Sequence, residues 1–198
     1  YRVERAGTRM RVPVFDSANL TAYLDKPWHR LILAELLASY ARISSGVAWT
    51  RTRQGWRRRR WNDLDPMRLA VLLEAAPEPE KAGIWRRLGD SALFLGGVFP
   101  DHALRSGLGV DALRMARLTG VAESVDDVPV DADGLAQLEW FGARWYRMAS
   151  DRAVFATTAS RLLRDQSEHF REARGILNTT ADRYLFPVST DWFAPPAA

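Results

Sequence analysis

The chain has 198 residues, a formal charge of +4, and 47% hydrophobic and 26% charged residues. These are the proportions of an ordinary folded domain with one core, and they exclude a disordered chain. Cysteine is absent, which excludes disulfides and thiolate metal sites, and no apolar stretch approaches the roughly 18 residues of a membrane span.

The opening residues, YRVERAGTRMRVPVF, lack the apolar core of a signal peptide, so a cytoplasmic location is expected. Lys and Arg total 28, and only Lys26 and Lys81 are lysines, which leaves 26 arginines. Codon usage in a GC-rich genome explains most of that bias. Arginine also suits bidentate contacts to phosphate and carboxylate, so its clustering matters more than its total.

Residues 1–15 alternate weakly through Met10, Val12 and Val14, and read as an edge strand or an extended arm. Asp16 or Ser17 caps a short helix through Leu24. Asp25 and Pro27 start a helix predicted to run to Ile43, with Trp28, Leu31, Ile32, Leu36, Tyr40 and Ile43 on one face. Residues 47–61, VAWTRTRQGWRRRRW, follow. Their Thr and Trp content favours a β-hairpin turning at Gln54-Gly55, and a flexible basic loop is the competing reading. That turn would place Arg53 opposite Trp56, Arg51 opposite Arg58 and Trp49 opposite Arg60.

Asn62 to Pro66 reads as a carboxylate cap followed by proline at the first helical position, with Asp63 and Asp65 as capping acids. The helix after it packs Leu69, Leu72 and Leu73. A longer helix begins at Glu78 and packs Ile84, Trp85, Leu88, Ala92 and Leu95; Gly96-Gly97 is expected to unwind it and Pro100 to prevent its resumption. Val110–Leu118 follows with Leu113 and Leu118 as core. The acidic segment 120–134 is a surface loop, and residues 134–148 form a helix rich in rings: Trp140, Phe141, Trp145 and Tyr146. Helices over 152–164 and 166–185 complete the set, the last with Phe170, Ala173, Ile176, Leu177, Thr180, Ala181 and Tyr184 at helical spacing. Residues 187–198 read as an irregular tail whose Trp192-Phe193 docks back on the bundle. The expectation is an all-α single domain over 1–198, a bundle of seven to eight helices with one Arg/Trp-rich hairpin.

Catalytic signatures are missing. Gly-x-Ser-x-Gly, a phosphate-binding glycine loop and a dinucleotide fingerprint do not occur. His29, His102 and His169 do not pair at metal-ligand spacing, and Glu168, His169 and Glu172 read as a solvated helix face, so no metal and no cofactor are expected. Arg86, Arg87 and Asp90 are one helical turn apart and read as an ion pair.

The stretch that points to a partner is basic and aromatic: Trp49, Arg51, Arg53, Trp56, Arg57, Arg58, Arg59, Arg60 and Trp61. Arginines hold a phosphate backbone and tryptophans stack on unpaired bases, so nucleic acid or another polyanion is the expected ligand of a non-catalytic protein. An acidic protein patch would satisfy the same charges. The alternative is an adaptor or homodimer using the ring-rich helix over 134–148. A third reading is an enzyme around Asp90 and His102.

The segments WNDLDPMRLAVLLE, RRLGDSALFLGGVFPD and ADRYLFP resemble a family of bacterial helical proteins. In that family a central helix ends in a segment matching Leu88-Gly89-Asp90, Leu93-Phe94-Leu95, Gly97 and Phe99-Pro100. The resemblance covers the middle third of the chain and a short C-terminal piece. It implies a helical domain and carries no activity. Gly89 within a helix costs roughly 1 kcal/mol relative to Ala, which points to close packing there and makes Asp90 the acid to follow.

Overall fold

A computed structural model describes residues 2–6, 10–14, 17–52, 55–106, 112–153 and 157–185. The chain is all-α, with α1 Ser17–Asp25, α2 Pro27–Tyr40, α3 Pro66–Leu73, α4 Glu78–Val98, α5 Pro100–Ser106, α6 Ala112–Thr119, α7 Gly134–Asp151, α8 Thr158–Glu168 and α9 Phe170–Thr180. A π-helical turn, Ala181–Leu185, extends α9. The hairpin expected between α2 and α3 is present as β3 Ser45–Thr52 and β4 Gly55–Asn62. Where the N-terminal residues suggest an edge strand or an arm, β1 Arg2–Ala6 pairs antiparallel with β2 Met10–Val14.

The longest helix, α4, is the axis of the bundle and packs on α7, α9 and α3. Its buried side includes Trp85, Leu88, Ala92, Leu93 and Val98, met from α7 by Phe141, Trp145 and Tyr146 and from α9 by Phe170, Ala173 and Leu177. Gly96 and Gly97 do not unwind it. A Cβ at Gly97 would lie 2.6 Å from the Leu177 Cβ, so the glycines are where α9 crosses α4 at close range. Their lack of side chain serves helix contact here rather than helix termination. Pro100 does not stop the chain either: it opens α5, where a missing N–H costs nothing.

Several faces differ from the periodic expectation. In α2 the buried side is His29, Leu33, Leu36 and Tyr40, while Trp28 and Leu31 are exposed; the helix ends at Tyr40, short of the expected Ile43, which is exposed beyond it. In α6 the core positions are Ala112, Met115, Ala116 and Thr119, with Leu113 and Leu118 only half-buried. Tyr184 is exposed beyond α9. The docking of Trp192-Phe193 lies outside the described residues. The acidic segment contains a capped turn at Val125–Asp127 and buries Val128, so it is anchored rather than loose.

Candidate nucleic-acid interface

Antiparallel pairing sets the chemistry of the β3–β4 ribbon. The register joins Gly46 with Trp61, Val47 with Arg60, Ala48 with Arg59, Trp49 with Arg58, Thr50 with Arg57, Arg51 with Trp56 and Thr52 with Gly55. The sequence expectation is therefore corrected by two residues: Trp49 faces Arg58, not Arg60, and Arg51 faces Trp56, not Arg58. The physical reason is charge. In the observed register every β4 arginine lies opposite a neutral residue, whereas the expected one opposed Arg51 to Arg58 directly. Gly55, with φ at +108°, enters β4 in a conformation that glycine adopts without strain.

A shift of two keeps each residue on its face. Positions 47, 49, 51, 56, 58 and 60 share one face of the ribbon, as expected, and position 61 lies on the other. Trp49 is 63% exposed, and Arg58 and Arg60 are exposed beside it. Among the described residues no carboxylate lies within ion-pair distance of Arg58 or Arg60. Trp61 does the opposite job. It is half-buried and lies across Gly46, where a Cβ would come within 2.8 Å of its ring. Arg51, Trp56, Arg57 and Arg59 are placed here by backbone register alone, and Arg53 lies outside the described residues.

The base of the ribbon is fastened by Asp63. Its carboxylate accepts from Ser44 N at 3.1 Å and from Arg87 at both ends, Nε at 2.8 Å and Nη2 at 2.5 Å. The backbone closes the same ring, with Asp63 N donating to Ser44 O at 3.1 Å. Asp63 is buried, so it is not the capping acid that its place before Pro66 suggests; Asp65 alone caps α3, accepting from Arg68 N at 3.1 Å. Arg87 also stacks over Tyr40, with its guanidinium 4.3 Å from the ring centre.

Arg87 is thereby committed to Asp63, and Arg86 donates to Glu35 at 3.0 Å. Asp90 sees them only at 4.0 Å and 3.9 Å, and its close partner is Tyr146, whose hydroxyl donates at 2.8 Å. Burial pushes the Asp90 carboxyl above the usual range, and the Tyr146 bond and the two guanidiniums only partly offset it. Gly89 admits this contact, because a Cβ there would lie 2.8 Å from the Tyr146 ring. A cavity of about 350 Å³ opens beside Asp90, lined also by Glu35, Arg86, Arg87 and Leu163. His102 is not among the residues that line it.

The ring-rich helix is largely satisfied within the fold. Phe141, Trp145 and Tyr146 are buried, and half-buried Trp140 is covered by the Arg144 guanidinium 3.7 Å from its ring centre. One cluster could not be seen in the sequence. His29, Asp165 and His169 converge where α2 meets the α8–α9 joint, with one ligand atom from each within 4.8 Å of the others. His29 and Asp165 are 136 residues apart, so no spacing rule reaches them. The one part within reach of a spacing rule is Asp165 and His169, four residues apart.

No family model, curated protein or solved structure matches the chain.

Proposed function

We propose that the protein binds single-stranded nucleic acid through the outer face of the β3–β4 ribbon and is not itself a catalyst. The observation that carries this reading is Trp49, 63% exposed and paired in register with Arg58, beside Arg60. An exposed ring flanked by guanidiniums that lack a carboxylate partner offers a stacking surface and phosphate contacts together. The anchored base supports it too. Asp63, Arg87 and Trp61 hold the ribbon's root, while Trp49, Arg58 and Arg60 are exposed on its outer face.

Fluorescence anisotropy with labelled single strands and duplexes tests it. Single strands should bind at micromolar or tighter Kd in low salt. The affinity should fall with log salt concentration by about 0.7 per phosphate contact. Arg58→Ala with Arg60→Ala should flatten that slope. Trp49→Ala should cost about 1–3 kcal/mol without changing it. Absence of binding in low salt overturns the reading, and a duplex preference would replace stacking with groove or backbone contact.

A further inference from the structure

We infer that His29, Asp165 and His169 form a binding site for a divalent first-row transition-metal ion, in a two-histidine, one-carboxylate set. A backbone carbonyl fixes the proton on His29. Its Nδ1 lies 2.8 Å from the carbonyl oxygen of Tyr23, and a carbonyl oxygen only accepts, so Nδ1 carries the hydrogen. In the neutral ring the lone pair is then on Nε2, which faces Asp165 Oδ2. These two donors are in direct contact and share a proton when no metal is bound; a metal ion would take the place of that proton as the half-exposed Asp165 side chain turns outward.

A proton can serve a pair, but here there are three donors. His169 sits at the break between α8 and α9, with its Nδ1 2.9 Å from the Asp165 carbonyl oxygen and 3.6 Å from Asp165 Oδ1, so its ring is held beside the pair. Both rings are thus held through one nitrogen by a backbone carbonyl, the arrangement that orients metal-bound imidazoles. His29 is held further by its neighbours. Tyr23 stacks on it with ring centres 3.7 Å apart, and the Tyr23 hydroxyl is tied to Gln166 Oε1 at 2.7 Å. Asp165 also has the half-exposed Lys26 Nζ at 3.5 Å, an ammonium that an incoming metal ion would displace.

The donor set selects the ion. Two imidazole nitrogens and one carboxylate oxygen suit zinc, iron(II), cobalt(II) and their neighbours rather than calcium or magnesium. His29 has no exposure, whereas the Asp165 and His169 side chains are 27% and 34% exposed. The site therefore opens at the α8–α9 joint, where the remaining coordination positions would meet water. No residue of the ribbon takes part, so this inference stands or falls independently of nucleic-acid binding.

The test uses the full chain stripped with a chelator and then titrated with Zn(II) by calorimetry and with Co(II) by visible absorption. One ion per chain should bind at micromolar or tighter Kd. Co(II) should develop ligand-field bands of a low-coordinate site, and bound metal should raise Tm. His169→Ala removes a partly exposed ligand and should leave the helical circular dichroism intact while weakening both metals at least about tenfold. Asp165→Asn should do the same through the carboxylate. Equal binding by the wild type and by folded His169→Ala, or no stoichiometric binding by the wild type, would overturn the site and leave the trio as a proton-bridged ion pair.

Discussion

Asp90 is a carboxyl group whose burial outweighs the guanidiniums near it, and that has a consequence for pH. Its folded pKa is raised above that of an ordinary aspartate. The folded state therefore holds this proton more tightly than the unfolded chain does. The associated stability is fully present below the unfolded pKa and is lost as pH rises through the folded one. Asp90→Asn keeps an acceptor for Tyr146 and removes the titration. Thermal unfolding from pH 3 to pH 7 should show the wild type losing Tm relative to Asp90→Asn as pH rises, with the gap levelling off above the folded pKa. A constant gap would mean that the residue does not titrate in that window. Gly89 belongs to the same contact. Gly89→Ala gains about 1 kcal/mol of helix preference but forces a methyl into the Tyr146 ring, an overpacking cost of about 1–3 kcal/mol. Net destabilisation in urea unfolding is expected, with the Asp90 pH effect enlarged because the tyrosine bond that partly offsets burial has been displaced.

At the scale of elements, the ribbon is held by one buried ion pair. Asp63 joins the ends of the β3–β4 segment to α4 through Arg87 and Ser44. Removing the buried acid leaves the Arg87 guanidinium, 24% exposed, without its closest acceptor, which costs about 1–3 kcal/mol. Asp63→Ala should therefore lower stability by that order in denaturant unfolding and should also weaken nucleic-acid binding by loosening the ribbon's root. Neutralising Arg58 and Arg60 should do the reverse. These exposed side chains should change stability by no more than about 0.5 kcal/mol while reducing binding. Finding both variants equally unstable would mean that the outer face is structural.

For the whole molecule, the arrangement of layers predicts where stability is concentrated. The helices α4, α7 and α9 share the buried rings and glycine contacts, and their amides should exchange only by global unfolding. The ribbon has one face in solvent and should exchange through local opening. Hydrogen exchange by mass spectrometry checks this ordering, and ribbon amides as slow as those of α4 would contradict it.

Much of the fold was legible because it rests on local rules. Pro27, Pro66 and the acids near Glu78 mark helix starts, and Trp85, Leu88 and Ala92 repeat at helical spacing. The Thr- and Trp-rich stretch before and after Gln54 announces a hairpin for the same reason: strand preference and turn residues act over a few positions. The outer face of the ribbon was readable as well, since alternation survives a register shift of two. The sequence by itself thus determined an all-α chain with one basic ribbon between α2 and α3. Only the tertiary structure decided which neighbours those elements meet. It turned Gly96 and Gly97 from a helix end into a crossing point and made Asp63 an anchor instead of a cap. It also brought His29 to Asp165 and His169. Each of these depends on contacts between residues far apart in the chain, which periodicity and spacing do not encode.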